Sequence, residues 1–416
     1  MTLRVTIDRL GRHGDGIART PEGPVFVPNT APGDVADIDR AGKTSDGAWA
    51  RLVTLVTPGP DRVTAPCPHA GTCGGCATQH LSAVANAVWK HGLVAHALHQ
   101  NGIDVAPQPT LTTPPATRRR ADFAAHYSRD GFVLGFHAPR SRTVVGLTTC
   151  HVLHPTLRDA LPALAELARL ALPKFGSVDL KVTLTNGGLD VLLVTQKPFS
   201  KDILAALRTP RAPFVRLSVQ VGEAVSDPLW GQAFVTLGGA DVLLPPGGFL
   251  QASAEGEALL VTEVLKGVGD AGRVADLFTG AGTFALPLAR AGKNVYAAEG
   301  DADSIAALFN AARKANLPGT LTTSQRDLFK KPLTSAELAA FDVVVIDPPR
   351  AGAQAQAAEI ARSAVPRVVS VSCDPVTFAR DAKILARGGY ALTSVVPVDQ
   401  FVWAAHVEVV GVFVRT

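Results

Sequence analysis

The 416-residue chain predicts a multidomain α/β protein in three parts. These are an N-terminal β-barrel over 1–58, an α+β middle region over 59–248 and a doubly wound α/β domain over 249–416. Three observations carry this division. Short strand-like runs punctuated by glycine fill the first part. A loop holding Cys67, Cys73 and Cys76 opens the second. From about residue 257 the pattern becomes alternating helix and strand. With 47% hydrophobic residues the composition is that of a folded chain rather than a disordered one. No apolar run approaches the ~20 residues of a membrane span. The Met1–Asp8 segment lacks a basic stretch followed by an apolar one, so a cytoplasmic location is expected.

In the first part, Val5–Ile7, Val25–Val27, Val35–Ile38 and Leu52–Val56 are β-branched or alternating. Gly11, Gly14, Gly16, Gly23, Pro28 and Gly33 separate them. Several short strands in so small a span suggest a barrel, with Pro58-Gly59-Pro60 as its exit. In the middle region a helix is expected over 81–101, ending at Asn101-Gly102 and able to pack on the C-terminal domain. Strands are expected around 121–127, 131–137, 143–147, 178–185 and 189–195, with an amphipathic helix over Leu157–Leu172. Asn186-Gly187-Gly188 reads as a hairpin turn. In the third part, Val274–Leu277, Asn294–Glu299, Phe341–Asp347 and Val368–Ser372 read as strands. Ala-rich helices over 281–291, 301–315, 353–364 and 376–387 separate them. Such a sheet carries ligands at the carboxyl ends of its strands.

The run Asp276-Leu277-Phe278-Thr279-Gly280-Ala281-Gly282-Thr283-Phe284 follows a strand and opens a helix. Its two glycines allow close backbone approach, but it is neither GxGxxG nor a phosphate-binding P-loop. Glu299 ends the next strand, where a carboxylate can accept hydrogen bonds from a ribose diol. An ordinary tight turn is the plain alternative for the glycines alone. Joined to Glu299, Asp327 and the run Asp347-Pro348-Pro349-Arg350, they point to a nucleoside without phosphates, S-adenosylmethionine (SAM).

Cys67, Cys73 and Cys76, with Cys150 farther on, form a set of four thiols. Four cysteines can hold a [4Fe–4S] cluster or zinc, and His69, His80 and His151 keep a mixed Cys/His zinc site open. Five cysteines are too few for a disulfide scaffold. The fifth, Cys373, stands just past a strand in Ser372-Cys373-Asp374-Pro375, placed for nucleophilic attack. A lone strand-end cysteine is otherwise inert core. The net charge is +4, and the basic excess lies between residues 61 and 175, centred on Arg118-Arg119-Arg120. This fits a phosphate-rich partner, or else a merely solvated face.

Together these motifs resemble the SAM-dependent RNA (uracil-5-)-methyltransferases, most closely the iron–sulfur branch acting on 23S ribosomal RNA. Residues 1–58 resemble the OB-like TRAM barrel, and Cys67–His80 the cluster loop. Arg118–Phe123 resembles the central arginine motif, Ser372–Asp381 the nucleophile motif, and His406-Val407-Glu408 the segment bearing the base. The chain departs from the family at Thr279, Thr283, Phe249-Leu250-Gln251-Ala252-Ser253 and Trp403-Ala404-Ala405-His406. The resemblance implies a C-terminal Rossmann-like class I SAM methyltransferase domain. It further implies that Cys67, Cys73, Cys76 and Cys150 ligate a [4Fe–4S] cluster. Gln251, Phe278, Gly280, Thr283, Glu299, Asp327 and Asp347 would line the cofactor and base site. Cys373 would be the nucleophile, with a lowered pKa, and Glu408 the base, with a raised one. Arg118, Arg119 and Arg120 would bind RNA, with Arg129, Arg140 and Arg142 as further candidates. The expected partner is RNA, not DNA or a membrane, and the expected state is a monomer. The same chemistry on tRNA, and a non-catalytic iron–sulfur RNA-binding protein, are the competing expectations.

Overall fold

The computed structural model describes residues 2–44, 47–129, 131–172 and 175–416. A six-stranded sheet comes first, in spatial order Leu3–Thr6, Val35–Thr44, Gly47–Thr57, Gly23–Val27, Gly16–Thr20, Arg9–Leu10. All neighbours are antiparallel except Gly23–Val27 and Gly47–Thr57. Val5, Ala18, Val25, Val27, Ala36, Ile38 and Ala50, from five of these strands, share one small core with Ile7. The sheet therefore curls on itself, as the glycine-punctuated pattern predicts.

An eight-stranded sheet follows, built on Arg120–Ser128, Gly176–Thr185, Gly188–Thr195 and Phe214–Val221. The register Thr185↔Gly188 closes the expected hairpin through Asn186 and Gly187. The single helix expected over Leu157–Leu172 is instead two, Pro155–Asp159 and Leu161–Ala171, meeting at Ala160. Pro162 explains the break: it has no N–H to donate to the preceding turn but suits the first turn of a new helix.

The C-terminal sheet has the order Leu321–Gln325, Asn294–Glu299, Arg273–Leu277, Val343–Ile346, Arg367–Ser372, Glu408–Arg415, Tyr390–Asp399, Leu111–Thr112. The first five run parallel and Glu408–Arg415 inserts antiparallel. Strand order reverses beside Arg273–Leu277, the point at which such sheets bind ligands. Helix Ala254–Val268, capped by Ser253, was not anticipated by the sequence pattern. Helix Ala285–Arg290 starts four residues later than expected, because Gly280 (φ 56°) and Gly282 (φ 102°) hold left-handed backbone before it.

Helix Ala83–Gln100 is capped by the Ser82 hydroxyl, which accepts from the Ala85 N–H. Its Val94, Ala97 and Leu98 join the core formed by Ala275, Leu277, Phe378 and Phe413 of the C-terminal region. Lys90 of this helix is fully buried. Its Nζ donates to Asp399 Oδ1 at 2.5 Å and to the Phe401 carbonyl at 3.0 Å. The Asn86 side chain donates to the other Asp399 oxygen at 3.3 Å. A buried pair with both partners hydrogen-bonded is costly to break from one side, so it pins the helix to the chain leading to Glu408.

Candidate active site

The sheet register creates the centre of the site. Ser372 pairs with Val409 across antiparallel strands. Cys373 directly follows Ser372 and Glu408 directly precedes Val409, so the two stand beside each other at the carboxyl edge. Asp347 follows the neighbouring strand Val343–Ile346. Burial, then the nearby Glu408 and Asp347, push the Cys373 thiol up to about 12. This corrects the expectation of a lowered pKa: no positive group outweighs the carboxylates at this strand end. Glu408 matches its expectation, since burial raises its carboxyl to about 7 against a Gln400 hydrogen bond and Arg120. Burial, Glu408 and Asp276 lift Asp347 well above its ordinary range.

Glu408 is held by a chain of amides. Gln400 Nε2 donates to Glu408 Oε1 at 3.0 Å and to Gln251 Oε1 at 2.7 Å. The Ala252 N–H donates to Gln400 Oε1 at 3.0 Å. Gln251, Gln400 and Glu408 are all buried. Gln251 thus meets the Glu408 network, and Gln400 joins them although no sequence pattern marked it.

A cavity of about 320 Å³ opens on Cys373, walled by Arg12, His96, Arg350, His406 and neighbours. A larger one of about 1010 Å³ lies between the N-terminal sheet and helix Ala83–Gln100, lined in part by Trp49, Trp89 and Arg9. Arg12, His13, Leu93, His96 and Gln100 border both, so the two cavities adjoin, the smaller one reaching the thiol.

On the other side of the strand ends lies the glycine-rich turn. The Gly280 N–H donates to Glu299 Oε2 at 3.0 Å. Glu299 Oε1 accepts from the N–H groups of Gly300 at 2.7 Å and Asp301 at 2.9 Å. A carboxylate has about four acceptor positions, so Glu299 keeps capacity for a hydroxyl. A Cβ on Gly280 would meet nothing within 4 Å, whereas one on Gly282 would lie 2.5 Å from Leu308. Gly280 therefore borders open space for a ligand, and Gly282 serves close helix packing. Thr283 is buried nearby, and so is Asp276, whose carboxylate accepts from the Thr279 hydroxyl at 2.5 Å. Phe278 stacks obliquely on the half-exposed Phe329, ring centres 5.3 Å apart. Asp327 accepts from the Phe329 and Lys330 N–H groups and pairs with the Lys330 ammonium at 3.1 Å, which lowers its pKa. An open glycine cradle, a carboxylate with spare acceptors and an aromatic wall fit an adenosine-type group.

The arginine run is less open than its charge suggested. Arg119 donates to Glu257 at 2.5 Å and to the Gln251 carbonyl at 3.0 Å. Arg118 donates to the Arg120 carbonyl at 3.0 Å. The Arg120 guanidinium lies 4.5 Å over the half-exposed Phe249 ring and acts on Glu408. Backbone bonds join the run to Val152 on one side and Ala252 on the other. Its first task is to tie the Cys150 segment to the Gln251 segment. Arg140 is likewise engaged, with Asp15 at 2.9 Å and over Trp49 at 3.6 Å.

Cys67, Cys73 and Cys76 are partly buried, Cys150 is buried, and all four are free thiols. Burial, chiefly, pushes Cys76 up to about 12, and the other three thiols act on it. The Gly75 N–H donates to Cys73 Sγ at 3.4 Å. Among the described residues no group of three or more His, Cys, Asp or Glu side chains is arranged to hold a metal ion. His69 Nε2 is engaged by Thr148 at 3.1 Å and His80 Nε2 by the Thr30 carbonyl at 3.0 Å. One ring nitrogen of each is thus turned to the scaffold. The donor chemistry itself, soft thiols with an amide N–H on sulfur, suits an iron–sulfur cluster and zinc alike.

The doubly wound sheet, its glycine turn and the acidic strand end define a SAM-dependent methyltransferase. Comparison with known proteins narrows this. Residues 247–416 match the tRNA (Uracil-5-)-methyltransferase family and residues 1–39 the TRAM domain. An uncharacterized RNA methyltransferase of Brucella suis biovar 1 is 41% identical over 100% of this chain and 98% of its own. The 23S rRNA (uracil(1939)-C(5))-methyltransferase RlmD of Edwardsiella ictaluri is 33% identical over 99% of this chain and 95% of its own. The crystal structure of Pyrococcus abyssi tRNA (uracil-54, C5)-methyltransferase with S-adenosyl-L-homocysteine superposes with a TM-score of 0.77 at 25% identity, covering 99% of each chain. The chain belongs to the SAM-dependent RNA (uracil-5-)-methyltransferase family. No described helix is long and apolar enough to cross a membrane.

Proposed function

We propose that the chain methylates C5 of a uridine in 23S ribosomal RNA, with Cys373 as nucleophile and Glu408 as general base. The observation that carries this is their juxtaposition across the Ser372↔Val409 register, beside a cavity that reaches the thiol, with Glu408 poised at about 7. A base active near neutral pH has its pKa there. The ribosomal target rests on full-length similarity to the 23S rRNA enzyme; the fold match to a tRNA enzyme is the second reading.

Uracil C5 is a weak nucleophile. Addition of the Cys373 thiolate to C6 moves the ring π electrons onto C5 and O4, so that C5 becomes enolate-like. Bound SAM supplies the electrophilic methyl group. The substituted C5 still bears its proton. Glu408 removes it, the C5–C6 double bond re-forms, and Cys373 leaves as thiolate. Asp347, whose carboxyl burial lifts well above its ordinary range, bears less charge against thiolate formation than an exposed aspartate would. Gln400 orients the Glu408 carboxylate, and Gln251 holds Gln400. Gly280, Thr283, Glu299, Phe278, Asp327 and Asp347 would hold SAM, Glu299 through its spare acceptor positions. The uridine must leave any stack to reach the thiol, and the adjoining groove between barrel and helix would carry the flanking strand. Arg120, over Phe249, is the member of the arginine run best placed to meet it. Cys67, Cys73, Cys76 and Cys150 would hold a [4Fe–4S] cluster that fixes the loop under Arg118. Boundaries near 58 and 248 remain the proposed domain limits.

The test uses RNA in which 5-fluorouridine replaces uridine. Fluorine at C5 cannot be removed as a proton, so after methylation the Cys373–C6 bond persists. Wild-type protein with SAM should yield an adduct stable in denaturing gels, and Cys373→Ala none. An adduct that survives Cys373→Ala would overturn the nucleophile assignment.

A further inference from the structure

The N-terminal barrel reaches the residue next to the nucleophile. Its Leu10–Asp15 turn is closed by its own backbone, with the Gly11 N–H donating to the Asp15 carbonyl at 2.7 Å and the Gly14 N–H to the Gly11 carbonyl at 3.1 Å. Three other segments hold the turn. A Cβ on Gly14 would come within 3.0 Å of Ala77 and Thr78 in the cysteine loop. Asp15 pairs with Arg140 at 2.9 Å. Arg12 Nη2 donates to Asp374 Oδ2 at 2.8 Å, across 362 residues of chain.

Asp374 directly follows Cys373 and begins helix Pro375–Arg387. Its Oδ1 accepts from the Val376 N–H at 2.9 Å, capping that helix. Its Oδ2 faces Arg12, with Arg350 Nε at 3.4 Å. The Asp374 side chain is only 7% exposed, while Arg12 is half-exposed. The carboxylate that sets the nucleophile turn is therefore closed off by a guanidinium from another domain. Asp374 is also one of the three carboxylates crowding Cys373, with Asp347 and Glu408.

We propose that Arg12 is a positioning residue for catalysis: by clamping Asp374 it locks the Cys373 turn and offsets the carboxylate beside the thiol, making nucleophile competence depend on the docked barrel. The inference rests on the reading of Cys373 as nucleophile. The Arg12 guanidinium makes one contact to Asp374, through Nη2, and carries a permanent charge. In Arg12→Ala the Asp374 charge is less well compensated. The thiolate becomes scarcer and its orientation looser, before any RNA is present.

The test measures alkylation of Cys373 by iodoacetamide at pH 8 in RNA-free protein, with steady-state methylation of 23S RNA alongside. Peptide mass spectrometry separates Cys373 from the other thiols. Arg12→Ala should slow alkylation by about three- to tenfold, the equivalent of up to about one pKa unit. It should lower kcat about tenfold with KM changed less than threefold, and Arg12→Lys should recover part of both. Asp374→Asn, which keeps a capping oxygen, should make the Arg12→Ala substitution nearly silent for alkylation. An Arg12→Ala protein with unchanged alkylation and kcat but raised KM would make Arg12 a phosphate contact and overturn the proposal. A wild-type protein that forms no adduct with 5-fluorouridine RNA would instead remove the nucleophile reading, and this inference with it.

Discussion

Replacing Glu408 with glutamine should make the protein more stable, and increasingly so as pH rises. The folded state holds this carboxyl at about 7, against 4.5 for an ordinary glutamate. Below pH 4.5 the group is largely neutral in both folded and unfolded chains, and glutamine is nearly isosteric with it. Between 4.5 and about 7 the unfolded chain releases its proton while the folded chain retains it, so wild-type stability falls. Above 7 the full difference is reached, on the order of 3 kcal/mol at ~1.4 kcal/mol per pKa unit. The Gln400 donor can still bond the carbonyl oxygen of the substituted side chain, so that donor keeps its partner. Calorimetric melting of both proteins at pH 4.5 and 8.5 would show nearly equal Tm at the lower pH. At the higher pH the variant should melt about 6–12 °C above wild type, given roughly 2–4 °C per kcal/mol for a domain of this size. A gap independent of pH, or a variant less stable at pH 8.5, would refute the buried-carboxyl account.

The other predictions are more direct. Glu408→Gln should also speed Cys373 alkylation at pH 8.5 by several-fold, because one of the charges holding the thiol near 12 is removed; mass-spectrometric rates check this. Gln400→Ala should lower kcat at least tenfold with little change in SAM affinity, since it frees Glu408 and Gln251 without touching the glycine turn; titration calorimetry and steady-state kinetics separate the two. Lys90→Met should cost about 3–5 kcal/mol by leaving Asp399 buried and uncompensated, read in denaturant midpoints. Arg120→Ala should weaken RNA binding and flatten the salt slope by about one, whereas Arg119→Ala should chiefly destabilise the fold, because Arg119 is paired with Glu257.

Much of this site was legible in the sequence because its parts are local. A strand, a tight turn and a helix start close together mark Gly280 and Gly282, and Ser372-Cys373-Asp374-Pro375 marks a thiol at a strand end. What escaped was set by long-range packing. Gln400 meets Gln251 across 149 residues, and a lone glutamine carries no pattern that foretells a buried amide chain. Lys90 lies on a helix whose other residues read as ordinary, yet it is among the largest fully buried side chains of the described residues. The arginine run read as a basic face because charge is visible in sequence and its partners Glu257 and Gln251 are not. The direction of the Cys373 pKa is hidden for the same reason: Asp347 and Glu408 reach the thiol from separate strands. The helix break at Ala160 was local after all, signalled by Pro162.

Proton loss from C5 tests the account most directly. RNA carrying [5-³H]uridine would be incubated with anaerobically purified protein and SAM, using 23S ribosomal RNA and tRNA in parallel. SAM-dependent tritium release to water is expected from 23S RNA, with none from tRNA and none from Cys373→Ala with either. Methyl incorporation into RNA without tritium release would contradict C5 chemistry, and release from tRNA alone would contradict the ribosomal target.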